Sequence, residues 1–187
     1  MPPKVKTTKE AILSTAVEIV RRQGAEALNA RAVAGVLGCS TQPIFSNFAT
    51  MEELRLAVVT EADRLCNDYI RREVEGGNYP PYKSSGMAYI RFAKEEKELF
   101  KLLYMRDRAG EENAEELRMS QPVEEIMHTT TGLGGEVAEL FHLEMWAYVH
   151  GIATMYATGF LDLEWELVSR MLTDAYQGLR KQYEMEG

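Results

Sequence analysis

Residues 29–54 read NARAVAGVLGCSTQPIFSNFATMEEL, and they predict two short helices joined by a tight turn and followed by a third helix. Asn29 can cap the first helix, because its short side chain accepts a hydrogen bond from an orphan amide one turn on. Gly38 is expected to end that helix, since glycine adopts the left-handed backbone at little cost. Ser40 can cap the second helix, which carries Pro43 in its first turn. The pattern predicts a helix-turn-helix, whose second helix enters the major groove of DNA.

The second helix of this motif is expected to have one buried face and one polar face. Ile44, Phe45 and Phe48 are predicted to anchor it in the core rather than to contact DNA. The next helix opens with a capping-box pair, Thr50 and Glu53. The polar face is the predicted DNA-contacting surface, with a solvated surface as the alternative. Its candidate residues are Ser40, Thr41, Gln42, Ser46 and Asn47.

The distribution of charge supports DNA binding, although the chain carries a net charge of −8. Residues 1–48 contain six basic and three acidic side chains, and the remainder contains 15 basic and 26 acidic ones. Only the first quarter is therefore suited to binding phosphate. The candidate phosphate contacts are Arg31 and an N-terminal arm of Lys4, Lys6 and Lys9; a surface salt bridge and merely solubilising lysines are the alternatives.

The rest of the chain is predicted to be helical, since no segment alternates with the period of two that is typical of strands. A capping box of Thr7 and Glu10 opens a first helix, and Gly24 ends it. A long helix is predicted over 51–75. The segment GGNYPPY at 76–82 ends that helix, because glycine and proline break helices.

Further helices are predicted over 85–95, 96–106, 121–130, 136–159 and 163–184. The expected fold class is all-α with about nine helices. It comprises a three-helix DNA-binding head at 1–50 and a helical ligand-binding and dimerisation domain at 51–187, in which residues 51–75 form a linking helix.

Composition excludes several other classes of protein. The hydrophobic content of 45% supports a packed core, and no apolar run reaches the ~18 residues that a membrane-spanning helix needs. The N-terminus lacks the apolar core of a secretory signal. Cys39 and Cys66 favour reduced thiols, so a cytoplasmic location is expected. No nucleophile–base pair, carboxylate pair or glycine-rich phosphate loop indicates an enzyme, and no cofactor is expected.

The helical body is rich in large apolar side chains, which predict a concave apolar binding site. His142, Trp146 and His150 share one helix face. A metal site is not expected there, because positions i and i+8 are about 12 Å apart along a helix. His150 is either a polar group in an apolar cavity or a core histidine. The candidate ligand contacts, which could equally belong to the core, are Tyr89, Phe92, Phe100, Tyr104, Trp146 and His150.

The helix at 136–159 also carries small side chains along one strip, and small residues allow another helix to approach closely. This strip is a candidate dimer interface, with a tight contact inside one chain as the alternative. Residues of the last helix are expected to join it. The predicted interface comprises Ala147, Gly151, Thr154, Thr158, Leu172 and Tyr176.

The first 55 residues resemble the TetR family of bacterial transcriptional repressors. The resemblance implies a homodimer whose two heads occupy successive major grooves and whose body binds a small molecule that releases the operator. A weaker resemblance is the Trp-x-x-x-His-Gly pattern at 146–151. The matching residues of the head are Ile12, Ala16, Gly24, Asn29, Arg31, Val33, Ala34, Gly38, Ser40, Ile44, Phe45, Asn47, Phe48, Glu52, Glu53 and Leu54.

The chain departs from the family pattern at four positions of the head. Phe45 replaces a tyrosine whose hydroxyl commonly contacts a phosphate, and Asn47 replaces a histidine. Met51 stands where a lysine usually opens the next helix, and Gln42 replaces a frequent glycine. The glutamine amide can form a bidentate contact with adenine. We therefore expect fewer charged phosphate contacts and a different base preference.

The sequence thus predicts a dimeric DNA-binding regulator with a small-molecule effector. Two alternatives remain at this point. One is a helical small-molecule-binding protein with a weak or non-specific DNA-binding head, and the other is a protein–protein regulator whose body accepts a partner helix.

Overall fold

The computed structural model describes residues 7–106 and 121–185, and all regular elements in these two ranges are helical. A 3-10 turn, Ala25–Ala27, lies between the first two α-helices. The predicted all-α fold is confirmed. The α-helices of the described ranges are α1 Lys9–Gln23, α2 Ala30–Leu37, α3 Gln42–Asn47, α4 Met51–Gly76, α5 Pro81–Glu95, α6 Lys97–Tyr104, α7 Gln121–Thr131, α8 Gly135–Thr158 and α9 Trp165–Met185.

The first and fourth helices begin with side-chain caps. Thr8 caps α1, because its Oγ1 accepts from the amide three residues on at 3.2 Å. The prediction of Thr7 is wrong by one residue, since the extended backbone of a cap falls at Thr8. Thr50 accepts from the Glu53 amide at 3.1 Å, as predicted. The Glu53 carboxylate in turn accepts from the amide that precedes Thr50, at 2.6 Å.

The described residues form two compact units. Residues 7–65 and 96–106 belong to the first unit, and residues 66–95 and 121–185 belong to the second. The predicted DNA-binding head at 1–50 stays a prediction; the two units are defined by their internal packing, and the first extends to residue 65. Helix α4 contributes to both units, and α6 belongs to the first unit although it follows α5 in the chain.

The first unit has a core formed by α1, α2, α3, α6 and the start of α4. Arg21 on α1 ties α6 to this core, because its Nε donates to the Glu96 carboxylate at 2.7 Å. The same guanidinium donates to Glu18 at 2.8 Å. Fully buried side chains of this core include Ile12, Val33, Ile44, Leu54, Leu99 and Phe100.

The second unit is built on the packing of α5 against α8, with α7 and α9 covering them. Gly86 permits the close approach of these helices. A Cβ at this position would lie 3.1 Å from Leu172 Cδ2 and 3.4 Å from Val149 Cγ2. Other buried side chains of the second unit include Met87, Ile90, Phe92, Phe141, Ile152 and Val168.

The described ranges contain no helix whose length and apolar character would suffice to cross a bilayer. Neither cysteine forms a disulfide: Cys39 is half-buried and Cys66 is buried.

Candidate functional site

The turn of the helix-turn-helix has the backbone that its residues predict. Asn29 caps α2, because its Oδ1 accepts from the Ala32 amide at 3.0 Å. Gly38 ends α2 in the left-handed conformation, with φ 62° and ψ 34°. Its amide donates back to the carbonyls of Ala34 and Gly35, which the helix would otherwise leave unpaired. Helix α2 is therefore capped by a side chain at its start and by backbone hydrogen bonds at its end, where the turn begins.

Helix α3 is short and is anchored by two apolar side chains. Ile44 is 0% exposed and Phe48 is 1% exposed. Pro43 lies in the first turn, as predicted. The cap position is Thr41 rather than Ser40, and neither hydroxyl forms a side-chain cap bond. The Ser40 prediction is wrong because the cap position falls one residue later, at Thr41. The backbone of Thr41 is helical rather than extended, so its hydroxyl forms no cap bond.

Phe45 is not a core residue, contrary to the sequence prediction. Its side chain is 48% exposed, whereas Ile44 is buried and Asn47 is half-buried. The prediction for Phe45 failed because it assigned every large apolar side chain of α3, a helix of six residues, to the buried face. Ile44 and Phe48 are four residues apart and share the buried face, whereas Phe45 lies on the face that carries Gln42 and Ser46.

The exposed face of α3 combines Phe45 with neutral polar groups. Gln42 and Ser46 are exposed, and the Ser46 hydroxyl donates to the Gln42 carbonyl at 3.0 Å. Ser40 is exposed and Thr41 is half-buried. Asn47 is less available, since its Nδ2 donates to the backbone carbonyl of Pro43 at 2.7 Å. The predicted base-contacting residues thus share one surface, on which Asn47 is already engaged.

The cationic side chains of the head differ in how free they are to contact a DNA phosphate. Arg31 is exposed on α2 and has no ion-pair partner within the described ranges. Lys9 is exposed, but its Nζ lies 3.4 Å from a Glu53 carboxylate oxygen and 4.7 Å from the centroid of the Phe48 ring. Lys4 and Lys6 lie outside the described residues. Arg31 is therefore the described cation best suited to a phosphate contact.

In the second unit, one hydrogen-bonded cluster contains three of the predicted ligand contacts: Tyr89, Trp146 and His150. The Tyr89 hydroxyl is hydrogen-bonded to His150 Nδ1 at 2.9 Å, across α5 and α8. Trp146 stacks on the His150 ring, with centroids 4.7 Å apart and an interplanar angle of 19°. Burial lowers the pKa of His150, which favours the neutral imidazole. The Tyr89 ring is buried and is tilted by 46° relative to the His150 ring, so the three residues form a largely apolar cluster around one tyrosine–histidine hydrogen bond.

A second tyrosine–histidine pair joins the same two helices. The Tyr82 hydroxyl is hydrogen-bonded to His142 Nδ1 at 3.0 Å. Burial lowers the pKa of His142 to about 4 and raises that of Tyr82. Sequence analysis missed this pair, although two tyrosines seven apart on one helix and two histidines eight apart on another could have indicated it. In the described ranges, no three His, Cys, Asp or Glu side chains are grouped as metal ligands.

The other predicted ligand contacts are not part of this cluster. Phe92 is fully buried in the second unit and packs edge-on against Tyr69, with centroids 5.4 Å apart. Phe100 and Tyr104 belong to the first unit, where their rings are 5.0 Å apart. The predicted set of six aromatic and polar residues is therefore divided between the two units.

The small-residue strip on α8 reaches solvent, whereas Leu172 in the α9 part of the predicted interface does not. Ala147 and Thr158 are exposed, and Gly151 and Thr154 are half-buried. Leu172 is 3% exposed and packs inside its own unit, so its assignment to an interface is corrected. Tyr176 is half-buried against Phe141, with centroids 5.7 Å apart. Exposed apolar side chains of α8 that sequence analysis missed are Val137, Leu140, Leu143 and Tyr148.

A family model described as the C-terminal domain of tetracyclin-repressor-like proteins matches residues 83–175. The match lies in the second half of the chain, where sequence analysis found only a weak resemblance. No curated protein sequence matches the chain.

Solved structures share the fold over nearly the whole chain. A TetR-like transcriptional regulator from Rhodococcus sp. RHA1 is 16% identical, with a TM-score of 0.68 over 96% of this chain and 98% of that one. A protein of unknown function from the same organism is 21% identical, with a TM-score of 0.72 over 97% and 98%. A TetR family member from Streptomyces coelicolor A3 is 16% identical, with a TM-score of 0.62 over 89% and 96%.

Proposed function

The chain belongs to the TetR family of transcriptional regulators, and we propose that it is a repressor that binds its operator through α3 and releases it when an apolar or aromatic effector binds the second unit. The observation that carries the DNA-binding part is the geometry of α3. Two buried anchors, Ile44 and Phe48, hold this helix so that Gln42 and Ser46 face outward. A helix presented in this way can enter a major groove.

We propose a two-fold homodimer formed through the exposed strip of α8. Ala147 and Gly151 are small, and a Cβ on Gly151 would meet nothing within 4 Å. Leu140 and Leu143 extend the strip with apolar side chains that are 49% and 43% exposed. A partner helix could therefore approach closely and cover an apolar surface. Two heads related by the two-fold axis would then meet two operator half-sites.

DNase I footprinting on the region upstream of the protein's own gene tests the DNA-binding proposal. The wild type is expected to protect a near-palindromic site at low salt. The Gln42→Ala, Ser46→Ala double variant is expected to lose that protection, and Leu56→Ala, which changes an exposed residue of α4, should retain it. Absence of any protected site at low salt would contradict the proposal.

The effector proposal rests on the cluster of Tyr89, Trp146 and His150. Two aromatic rings and a neutral imidazole suit an aromatic ligand that carries a single polar group. An acidic body, with 26 acidic and 15 basic residues after position 48, disfavours a phosphate-rich ligand. Effector binding is expected to weaken DNA affinity by a coupling free energy of about 1–3 kcal/mol, and DNA should weaken effector binding equally.

Trp146→Ala tests this assignment once an inducing compound has been found by screening aromatic compounds for operator release. The variant should fail to respond to the compound while it retains operator affinity and thermal stability. Phe160→Ala, which removes a ring that is 76% exposed, is the matched control and should respond normally. If Trp146→Ala loses DNA binding and thermal stability together, Trp146 is a core residue and the assignment is wrong.

A further inference from the structure

We infer that Phe45 contacts bases directly, with its exposed ring packed against the 5-methyl group of a thymine in each operator half-site. This inference rests on the proposed DNA-binding function and adds a specific contact to it.

The position of Phe45 makes it part of the proposed recognition surface. Gln42, Phe45 and Ser46 are three and four residues apart, so they lie on one face of α3. All three are exposed, and Phe45 remains 48% exposed after the head has folded. Any groove that accommodates Gln42 and Ser46 must therefore also accommodate this ring.

The chemistry of the ring selects its partner in the groove. Phenylalanine has no hydrogen-bonding group, so it can neither donate to a phosphate nor pair with the polar edge of a base. The thymine methyl is the apolar feature of the base edges in the major groove, and phenylalanine is among the side chains that contact it. Burying the ring against this methyl removes apolar surface of both partners from water.

The surrounding residues favour an A·T pair over a G·C pair. No charged residue occurs between Arg31 and Glu52, so α3 offers no arginine or lysine to the O6 and N7 atoms of guanine. The amide of Gln42 is suited to adenine instead. A neutral surface with one apolar ring thus complements thymine methyl groups and adenine edges.

The test removes the methyl group and the ring separately. Binding sites are first selected with the wild-type protein from a random double-stranded DNA library. The strongest site is then resynthesised with deoxyuridine replacing thymidine at one symmetric pair of positions at a time. Deoxyuridine keeps the base pairing and the O4 acceptor and lacks only the methyl group.

The wild type is expected to lose about fourfold in affinity per half-site at one thymine position, which corresponds to the burial of one methyl-sized group. Phe45→Ala should lose at least as much on the thymine site and should bind the thymine and uracil sites equally. Leu56→Ala, which removes another exposed apolar side chain of the first unit, should discriminate between the sites as the wild type does. Circular dichroism should show that Phe45→Ala is folded, because half of the ring is already in water.

Two results would overturn the inference while leaving DNA binding intact. One is a wild type that binds every uracil-substituted site as tightly as the thymine site. The other is a Phe45→Ala variant that retains the full methyl discrimination. If the wild type enriches no DNA from the library, the proposed DNA-binding function itself fails, and this inference fails with it.

Discussion

Arg31 and Gln42 are expected to contribute to DNA binding in different ways, because one is a cation on α2 and the other a neutral amide on α3. A phosphate contact releases counterions and carries no sequence information, whereas a base contact distinguishes one base pair from another. Their substitutions should therefore be separable in one set of binding measurements.

Arg31→Ala is expected to reduce the slope of log K against log salt by about 1 per half-site, with a similar loss on all DNA sequences. Gln42→Ala should leave the slope unchanged and should reduce discrimination at one base pair by about 1–3 kcal/mol. Fluorescence anisotropy titrations at several salt concentrations measure both quantities. Arg22→Ala is the control, because Arg22 is held by Glu18 on α1. If Arg31→Ala leaves the slope unchanged, Arg31 does not contact phosphate.

His142 is expected to make stability depend on pH. Burial lowers its pKa from 6.5 to about 4 in the folded protein, so the unfolded chain binds more protons between these values. The free energy of unfolding should therefore fall as the pH falls through this window, and the stabilisation is fully present above pH 6.5. The loss is about 1–2 kcal/mol, because solvent reaches part of the ring.

The variant His142→Asn retains an acceptor near the Tyr82 hydroxyl but cannot titrate. Urea unfolding at pH 7.5 and pH 4.5 should show a smaller loss of stability for this variant than for the wild type. His128→Asn changes an exposed histidine and should behave as the wild type does. Equal pH dependence of His142→Asn and the wild type would contradict the assigned cause.

At the scale of the secondary-structure elements, α2 contains one glycine, Gly35, and is followed by a second, Gly38, in a different conformation. Gly38 has a φ of 62° at the end of the helix, and Gly35 lies within the helix without a positive φ. A Cβ at either position would meet nothing within 4 Å, so steric clashes with neighbours play no part. The two glycine positions therefore differ only in backbone conformation.

Gly38→Ala is expected to destabilise the protein by about 1 kcal/mol, because an L-residue is strained in the left-handed conformation. Gly35→Ala is expected to stabilise it by up to about 1 kcal/mol, since alanine favours a helix interior. Thermal unfolding of the two variants beside the wild type measures these opposite shifts. Shifts of the same sign would show that the turn does not constrain Gly38.

At the scale of the whole molecule, α8 has two faces with different requirements. One face packs against α5 within the second unit, where Val149 approaches Gly86. The other face leaves Leu140, Leu143 and Tyr148 exposed. A helix that is apolar on nearly all faces requires cover on both sides, which a second copy of the chain would provide.

Gly151→Arg is expected to convert a dimer into a monomer, because the substitution places a charged side chain where the second copy should approach closely. Sedimentation velocity at micromolar concentration measures the change. Thr60→Arg introduces the same charge on an exposed position of α4 and should remain dimeric. A monomeric wild type under these conditions would disprove the interface.

The sequence by itself determined the features that depend on neighbouring residues. Asn29 caps α2 through an amide three residues away, and Gly38 ends the helix through carbonyls three and four residues back. Ile44 and Phe48 are buried as their spacing predicts. Such features can be predicted because a cap or a helix face is decided within one or two turns of chain.

Tertiary structure alone decided which surfaces meet. Phe45 has the same apolar character as Phe48, but packing buries Phe48 with Ile44 in the first unit and leaves Phe45 48% exposed. Glu96 joins α6 to α1 across 75 residues of chain, which places Phe100 in the first unit. Leu172 is buried because Gly86, on a distant helix, leaves space for it. Contacts between residues so far apart depend on the complementary shapes of packed helices, which no local pattern of residues specifies.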